Sequence, residues 1–438
     1  YPELVYDNHG VEQPAKPEDG YHLSADLADK AIEFIQDAHI NAPDKPFFLY
    51  YATGCGHAPH HVPKEWADRY TGKFDMGWDE YRKIVHQRQL EMGIIPPGTE
   101  LSPHDPDVPV WDTLSADEKR LYIRMMEVYA GFVTFTDYHF GRILDFLREI
   151  GELDNTLIIV ISDNGASSEG GPVGSLNEMF FFNNAKETLE DNLKVIDKLG
   201  GVETCNHYPW GWTNAGNAPF RRWKRETYRG GTTDPCIVSW PRGIQSRGEL
   251  RPQYGHIIDF VPTVLEALGI EAPQAIRGVT QAPIDGVSFA HTFNDGAAPS
   301  NHHTQYFEMF GHRSIYHDGW RAVCPWPGPS FTEAAKKGRQ FGSPIPNTVL
   351  VDIEAHDWEL YHVDEDSSEC HNLAGTDRDK VIEMVGRWWA EAGKYQVLPI
   401  DGSALERLNV ERPTIARPRD RFVYYPGGSS IPFTATPK

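Results

Sequence analysis

Apolar residues recur at helical spacing along several stretches of the chain and run without interruption along a few short ones. Leu27, Ala31, Phe34, Ile35 and Ala38 share one face of a helix that follows Ser24. Pro46 closes the turn after it, and Phe47-Phe48-Leu49-Tyr50-Tyr51 then reads as a buried strand. Residues 52–115 are mostly irregular and rich in Pro, His and Asp, with helical pieces near 64–70 and 79–92. Ser115 and Glu118 have the spacing of a capping box and open a long helix that Gly151 ends. Leu121, Met125, Val128, Tyr129, Phe132, Val133, Ile143 and Phe146 supply its apolar stripe. Asp154-Asn155 turns the chain into Thr156–Ser162, a second buried strand of β-branched residues. Continuous apolar strands alternating with helices predict an α/β fold, a sheet covered by helices on both faces that holds both strands.

Farther along, Cys236–Trp240 reads as a short strand and 257–268 as a helix stopped by Gly269. Residues 271–302 carry Pro273, Gly278, Pro283 and Gly286 with little periodicity and read as a linker. The texture then changes to alternation. Tyr306–Phe310, Arg313–His317 and Trp320–Cys324 are strands, with Asp318-Gly319 as a hairpin turn. Val349–Ile353 and Leu360–Val363 are further strand candidates, and a helix spans 377–393. The expected organisation is a large α/β domain over 1–302, a smaller antiparallel α+β domain over 303–397, and an extended tail over 398–438.

Composition narrows the function classes. Lys and Arg number 41 and Asp and Glu 63, a net charge of 41 − 63 = −22. That sign disfavours nucleic acid as a partner, since phosphate backbones need clustered cations. The longest apolar runs, such as 157–161, fall far short of the ~20 residues of a membrane span. Five cysteines at 55, 205, 236, 324 and 370 contain no CxxC, which argues against a zinc ribbon or a redox dithiol. No signal peptide is visible, so the compartment stays open between cytoplasm and periplasm.

Three segments carry candidate chemistry. Asp163-Asn164-Gly165 follows a predicted strand at its carboxyl end, where open α/β sheets place ligands. A carboxylate beside a carboxamide offers hard oxygens to Ca²⁺ or Mg²⁺; the same tripeptide is also ordinary turn chemistry. Gly54-Cys55-Gly56-His57-Ala58-Pro59-His60-His61 follows the other strand, and its histidines suit proton transfer or metal binding. Cys55 is a conceivable nucleophile there, and a solvated loop is the plain alternative. Residues 221–229 hold Arg221, Arg222, Lys224, Arg225 and Arg229, five cations in nine residues of an acidic protein. Charge concentrated against the global sign suggests an anionic substrate, with surface ion pairing as the alternative.

These segments resemble the sulfatase family of the alkaline-phosphatase-like superfamily. The marks are FFLYYATGCGHAPHHVP at 47–63, GELDNTLIIVISDNGASSEG at 151–170 and APFRRWKRETYRGGTTDPCIVSWP at 218–241, in that order. HIIDFVPTVLEALGI at 256–270, IDGVSF at 284–289 and RSIYHDGWRAV at 313–323 follow the same pattern, so the likeness runs from about residue 20 to 400. It is strongest with bacterial arylsulfatases that carry a long insert after the Asp-Asn-Gly turn. The resemblance implies a sulfuric ester hydrolase acting on a small-molecule sulfate monoester. It implies Ca²⁺, with Mg²⁺ as a variant, ligated by Asp163 and Asn164. It also implies that His60 contacts the sulfate and helps protonate the leaving oxygen, and that Lys224 bridges a sulfate oxygen and the leaving group. All four are expected to converge on one cleft.

The family nucleophile is a Cys or Ser in Cys/Ser-x-Pro/Ala-x-Arg, converted to formylglycine, and its early metal ligands are a consecutive Asp-Asp. Neither pattern occurs in these 438 residues. The resemblance therefore implies an N-terminal segment, carrying both, as a partner of this chain, and little activity without it. Two other readings stand beside this one: a phosphonate or phosphate-ester hydrolase of the same superfamily, and a truncated anion-binding module without catalysis. The insert at 171–217, with Trp210 and Trp212, is the candidate lining for the substrate's alcohol or phenol, although aromatic residues more often build core.

Overall fold

The computed structural model describes residues 4–6, 9–183, 185–325, 358–400 and 421–423. The chain opens with strands β1 (Leu4–Tyr6) and β2 (His9–Glu12), followed by helices α1 (Leu23–Asn41), α2 (Lys64–Asp68), α3 (Gly77–Glu91) and α4 (Ala116–Glu149). Strand β3 (Ile158–Ile161) leads into short helices α5 (Met179–Phe182), α6 (Leu189–Lys194), α7 (Trp210–Gly216) and α8 (Arg229–Thr232). Then come β4 (Cys236–Ser239), α9 (Phe260–Leu268), the two-residue strands β5 (Ala275–Ile276) and β6 (Val279–Thr280), and β7 (Thr304–Met309), β8 (His312–His317) and β9 (Trp320–Cys324). Strand β10 (Glu359–His362), helix α10 (Arg378–Lys394) and β11 (Arg421–Val423) complete the described elements.

Helix α4 is the spine. Ser115 caps it as its spacing predicts: the Glu118 amide donates to Ser115 Oγ at 3.3 Å and Glu118 Oε2 accepts from the Ser115 amide at 2.8 Å. One face of α4 packs on α1 through Ile143 and Leu147 against Ala28, Ala31 and Ile35. The other enters an aromatic core in which Trp78 meets Trp111 edge-on at 4.6 Å and Trp212 at 5.8 Å. Trp210 and Trp212 of the insert are therefore core residues, 3% and 1% exposed, and do not line a substrate pocket.

The sheet departs from the expected one. Phe47–Tyr51 is extended, yet it hydrogen-bonds into no sheet among the described residues. Phe47, Leu49 and Tyr51 rest on the α1–α4 cluster, whereas Phe48 and Tyr50 are 87% and 82% exposed. Strand β3 pairs with β4 alone, antiparallel, Ile158 opposite Ser239 and Ile161 opposite Cys236. With one neighbour it is only partly covered, and the expectation of buried strands sharing one sheet fails here.

The later part follows the alternation closely. Strands β10-β9-β8-β7 form an antiparallel sheet, and Asp318 and Gly319 both take positive φ in the tight hairpin between β8 and β9. Its inner face, with Ile315, Ala322 and Leu360, packs on Met384 and Trp388 of α10. The strand expected at 349–353 lies outside the described residues. Of the expected tail, 398–400 and β11 are described, and β11 pairs in parallel with β2. Residues 271–302, expected as a linker, are pinned to the start of α9. The Val287 amide donates to Asp259 Oδ1 at 2.8 Å and the Phe289 amide to Thr263 Oγ1 at 3.0 Å.

Two buried ionic knots hold these parts in place. Glu369, fully buried, lies 3.0 Å from Arg321 Nε of β9 and accepts the Arg229 amide at 2.9 Å. It thereby docks the antiparallel sheet on the loop that carries Lys224. In the second knot, His302 Nδ1 lies 2.8 Å from Asp259 and Nε2 lies 3.1 Å from the Thr304 carbonyl. Both partners are acceptors, so this ring is best satisfied as an imidazolium. Burial alone would lower its pKa, but the hydrogen bond to Asp259 and that carboxylate's charge outweigh it and raise the value. Asp259 moves down: burial opposes, and His302 with the Val287 and His256 amides prevails.

Two outcomes are expected. Glu369→Ala strands the Arg321 guanidinium and should cost about 3–5 kcal/mol in urea denaturation at neutral pH; a loss below about 1 kcal/mol contradicts the knot. The His302 contribution is fully present below the ordinary histidine value of 6.5 and is lost as pH rises through the raised value. The Asp259 contribution is lost only as pH falls through its lowered value. Stability of the wild type should therefore fall as pH rises above about 6.5, and His302→Gln should flatten that slope.

Candidate active site

Three loops and part of the insert meet beside β3. Residues 163–170 leave the strand with Asp163 exposed and Asn164 half-buried. Ser162 Oγ donates to the Asn164 carbonyl at 2.9 Å, and Asn164 Nδ2 to the Gly165 carbonyl at 3.0 Å. The loop then lies against residues 217–231. The Ala166 amide donates to Asn217 Oδ1 at 3.0 Å, and the Lys224 amide to the Ala166 carbonyl at 3.1 Å. Helix α7 clamps the next two residues: Trp210 Nε1 donates to the Ser168 carbonyl at 2.9 Å and Thr213 Oγ1 to the Ser167 carbonyl at 2.8 Å.

That clamp presents Glu169. Lys224 Nζ lies 3.4 Å from Glu169 Oε1, its side chain 18% exposed, and Arg225 Nε lies 3.5 Å from the same oxygen. Burial would push the Glu169 carboxyl up, but the charges of Arg225 and Lys224 hold it below the usual range. Arg225, which also donates to Ser168 Oγ at 2.7 Å, is pulled down to about 10 by burial. The other Glu169 oxygen accepts from Ser167 Oγ, and that oxygen lies 2.8 Å from His207 Nε2. His207 Nδ1 is 2.9 Å from the Tyr208 carbonyl, and burial brings this ring down to about 4.

His60 packs on this assembly. It is fully buried, with ring centroids of His207, Tyr129 and Tyr208 at 4.9, 5.1 and 5.2 Å. Neither of its ring nitrogens has a hydrogen-bond partner among the described residues. Burial, then the neighbouring histidines, hold it well below the ordinary value, so the ring is a neutral imidazole. Its loop neighbours differ. His57 is exposed, and His61 Nε2 lies 2.6 Å from the Thr204 carbonyl, a structural bond. Cys55 is half-buried and burial pushes its thiol up, the opposite of an activated thiolate.

His60 and Lys224 are thus joined through His207, Ser167 and Glu169. Asp163 and Asn164 stand at the outer end of the same loop, and Asp163 faces Asp234, which burial and then the Asp163 charge push up to about 7. Calcium takes ~6–8 oxygens. Among the described residues no group of three or more His, Cys, Asp or Glu could hold a metal ion, so these residues do not by themselves make a complete site. The run of five cations divides. Arg221 donates to Tyr361 Oη at 2.6 Å, Arg222 to Asp107 Oδ2 at 2.9 Å and Arg229 to the Ser367 carbonyl at 2.6 Å. These three bind the protein itself, while Lys224 and Arg225 face Glu169. Glu169, Ser167 and His207 escape sequence reasoning, since nothing in SSEGG or CNHYP marks them. Glu178 escapes it too, a buried carboxyl raised chiefly by burial, with one oxygen unpartnered.

The chain is similar to proteins that carry the sulfatase name. An uncharacterised sulfatase of Schizosaccharomyces pombe is 28% identical over 398 residues, 90% of this chain and 66% of that one. An arylsulfatase of Klebsiella aerogenes is 27% identical over 248 residues, 56% of this chain and 51% of that one. The chain therefore spans less than two thirds of either relative. Among solved structures, the crystal structure of Ps i-CgsB superposes with a TM-score of 0.52 at 17% identity, covering 93% of this chain and 62% of that one. The fold is the α/β alkaline-phosphatase-like one, with a small antiparallel sheet toward the C-terminus. Because the family model described as Sulfatase matches residues 2–270, more than half of the sequence, the chain belongs to the sulfatase family.

Proposed function

We propose that this chain supplies the anion-binding and leaving-group side of a sulfate-monoester hydrolase of arylsulfatase type. The observation that carries the reading is the joining of Lys224 to a fully buried, unpartnered His60 at the end of the Asp163–Glu169 loop. A sulfate monoester needs cationic donors on its sulfuryl oxygens and a proton on the departing oxygen. Lys224 presents an ammonium at the edge of the site. His60 offers an imidazole whose proton affinity rises once an anion stands beside it. As the nucleophile bonds to sulfur, the S–O bond to the alcohol or phenol breaks; the electron pair stays on the departing oxygen, which takes its proton from His60 in its imidazolium form, and the sulfuryl group remains on the nucleophile.

In this reading the nucleophile is supplied by polypeptide outside these 438 residues, which contain no Cys/Ser-x-Pro/Ala-x-Arg sequence. Phe48, Tyr50, Val160, Ile161 and Ile237 support this. They are exposed apolar side chains on extended segments short of neighbours, where further strands would dock. Asp163 and Asn164 are the side chains that would hold a Ca²⁺ or Mg²⁺ ion here, and such an ion would supply positive charge beside the sulfuryl oxygens. Among the described residues no helix is long and apolar enough to cross a membrane.

The test is the initial rate of p-nitrophenyl sulfate hydrolysis, in excess Ca²⁺, by the chain alone and co-expressed with its upstream segment in a host that makes formylglycine. The chain alone should be near background and the pair active. Lys224→Ala and His60→Ala should each lower the rate of the pair about 100-fold or more. Full turnover by the isolated chain, abolished by Cys55→Ala, would sink the reading. Faster cleavage of a phenylphosphonate monoester would move it to the phosphonate class.

A further inference from the structure

Glu169 is an unexpected residue to find beside a lysine meant for an anion. It is 5% exposed, and at close range a buried carboxylate repels a sulfate as a lysine attracts it. A residue that only weakened the site would serve no purpose there, and its contacts indicate a different one. One carboxylate oxygen meets both Lys224 Nζ at 3.4 Å and Arg225 Nε at 3.5 Å. The other accepts from Ser167 Oγ, which stands 2.8 Å from His207 Nε2, and His207 lies against His60 with ring centroids 4.9 Å apart. A lysine has a long flexible stem and, left alone at the edge of the site, would sample solvent. Ser167 has one hydroxyl proton for two neighbours, so the group at position 169 decides which of them receives it.

We propose that Glu169 is the positioning residue of this site: one carboxylate fixes the Lys224 ammonium where a sulfate group is received and, through Ser167, sets the hydrogen bonding of His207 against His60. The proposal rests on the reading that Lys224 and His60 receive a sulfate group. Arg225 shares the negative charge of Glu169, so Lys224 keeps attraction to spare for an incoming anion.

The two ideas separate in one experiment on the whole 438-residue chain, calorimetric titration with sodium sulfate at constant ionic strength. Lys224→Ala tests the underlying reading. If sulfate affinity does not change, Lys224 is no anion ligand, and both the reading and the role of Glu169 fall. If affinity drops, Glu169→Gln decides by its sign. Removing a negative charge alone would tighten sulfate binding, whereas losing the positioning partner weakens it, roughly ten-fold. Glu169→Asp, which keeps the charge, should recover part of the loss. Unchanged or tighter binding in Glu169→Gln, with the Lys224 effect present, overturns the proposal and leaves the functional reading intact. Should Glu169→Gln fail to unfold cooperatively in urea, Ser167→Ala takes its place. That variant keeps the Lys224–Glu169 pair and cuts the line to His207. Sulfate affinity should stay within about two-fold, while the ring ¹⁵N signals of His207 report an altered hydrogen bond at Nε2. Unmoved His207 signals overturn the proposal.

Discussion

Two loop backbones lie against each other where the site forms. A Cβ built on Gly165 would stand 1.7 Å from the Gly230 carbonyl oxygen, and one on Gly230 would stand 2.2 Å from the Arg221 carbonyl oxygen. Only hydrogen fits at either position, so the Asp163–Glu169 loop and the Arg221–Gly231 loop approach as bare peptide. The Lys224 amide then reaches the Ala166 carbonyl, which fixes the register between them. The rest of the site depends on that contact. It sets Lys224 opposite Glu169, leaves Asn164 at the open end, and lets helix α7 close over Ser167 and Ser168. A methyl group at Gly165 would push the two loops apart, and the lysine from the carboxylate, without touching either.

The charges of the second loop are divided by distance from that contact. Arg221 and Arg229 turn toward the antiparallel sheet and bind Tyr361, Glu359, Ser367 and Glu369. Arg222 turns toward Asp105 and Asp107. Such buried cations need dedicated acceptors, because a guanidinium left without one in a protein interior is strongly unfavourable. The antiparallel sheet is in this sense a support for the loop. Its Arg321 and Glu369 hold the segment that carries Lys224, and the apolar contact of Tyr228 with Val323 and Tyr361 seals the joint. Lys224 and Arg225 remain for the site, one partly exposed and one buried.

The α/β part is asymmetric in its coverage. Helices α1 and α4 bury one side of Phe47–Tyr51, while the other side and both outer edges of the β3–β4 pair lack strand neighbours among the described residues. Apolar strands with open edges are association-prone surfaces, and proteins normally cover them. The loop that carries Asp163 to Glu169 leaves the end of β3, one of those partly covered strands.

Local pattern alone determined much of this protein. The capping box at Ser115, the Asp318-Gly319 hairpin and the helix after Asp377 are written in short-range spacing, and each appears where that spacing puts it. The resemblance of three segments to a known family singled out His60, Lys224, Asp163 and Asn164 as candidates, and their chemistry in this chain rests on the proposed function. Tertiary structure decided what the pattern could not. Phe47–Tyr51 has a strand's composition, but a strand needs a neighbour to bond to, and composition says nothing about neighbours. Five clustered cations looked alike in sequence until distant acceptors such as Asp107, Glu359 and Ser367 claimed three of them. Trp210 and Trp212 could have lined a pocket or a core, and only the contacts of Trp212 with Trp78 and Tyr122 and of Trp210 with Trp223 settled which. Glu169 carries no mark in its own neighbourhood. Its proposed role is created by residues 55 and 56 positions away in the chain and by a histidine 38 positions away, because hydrogen bonds and ion pairs depend on distance in space and not on separation in sequence.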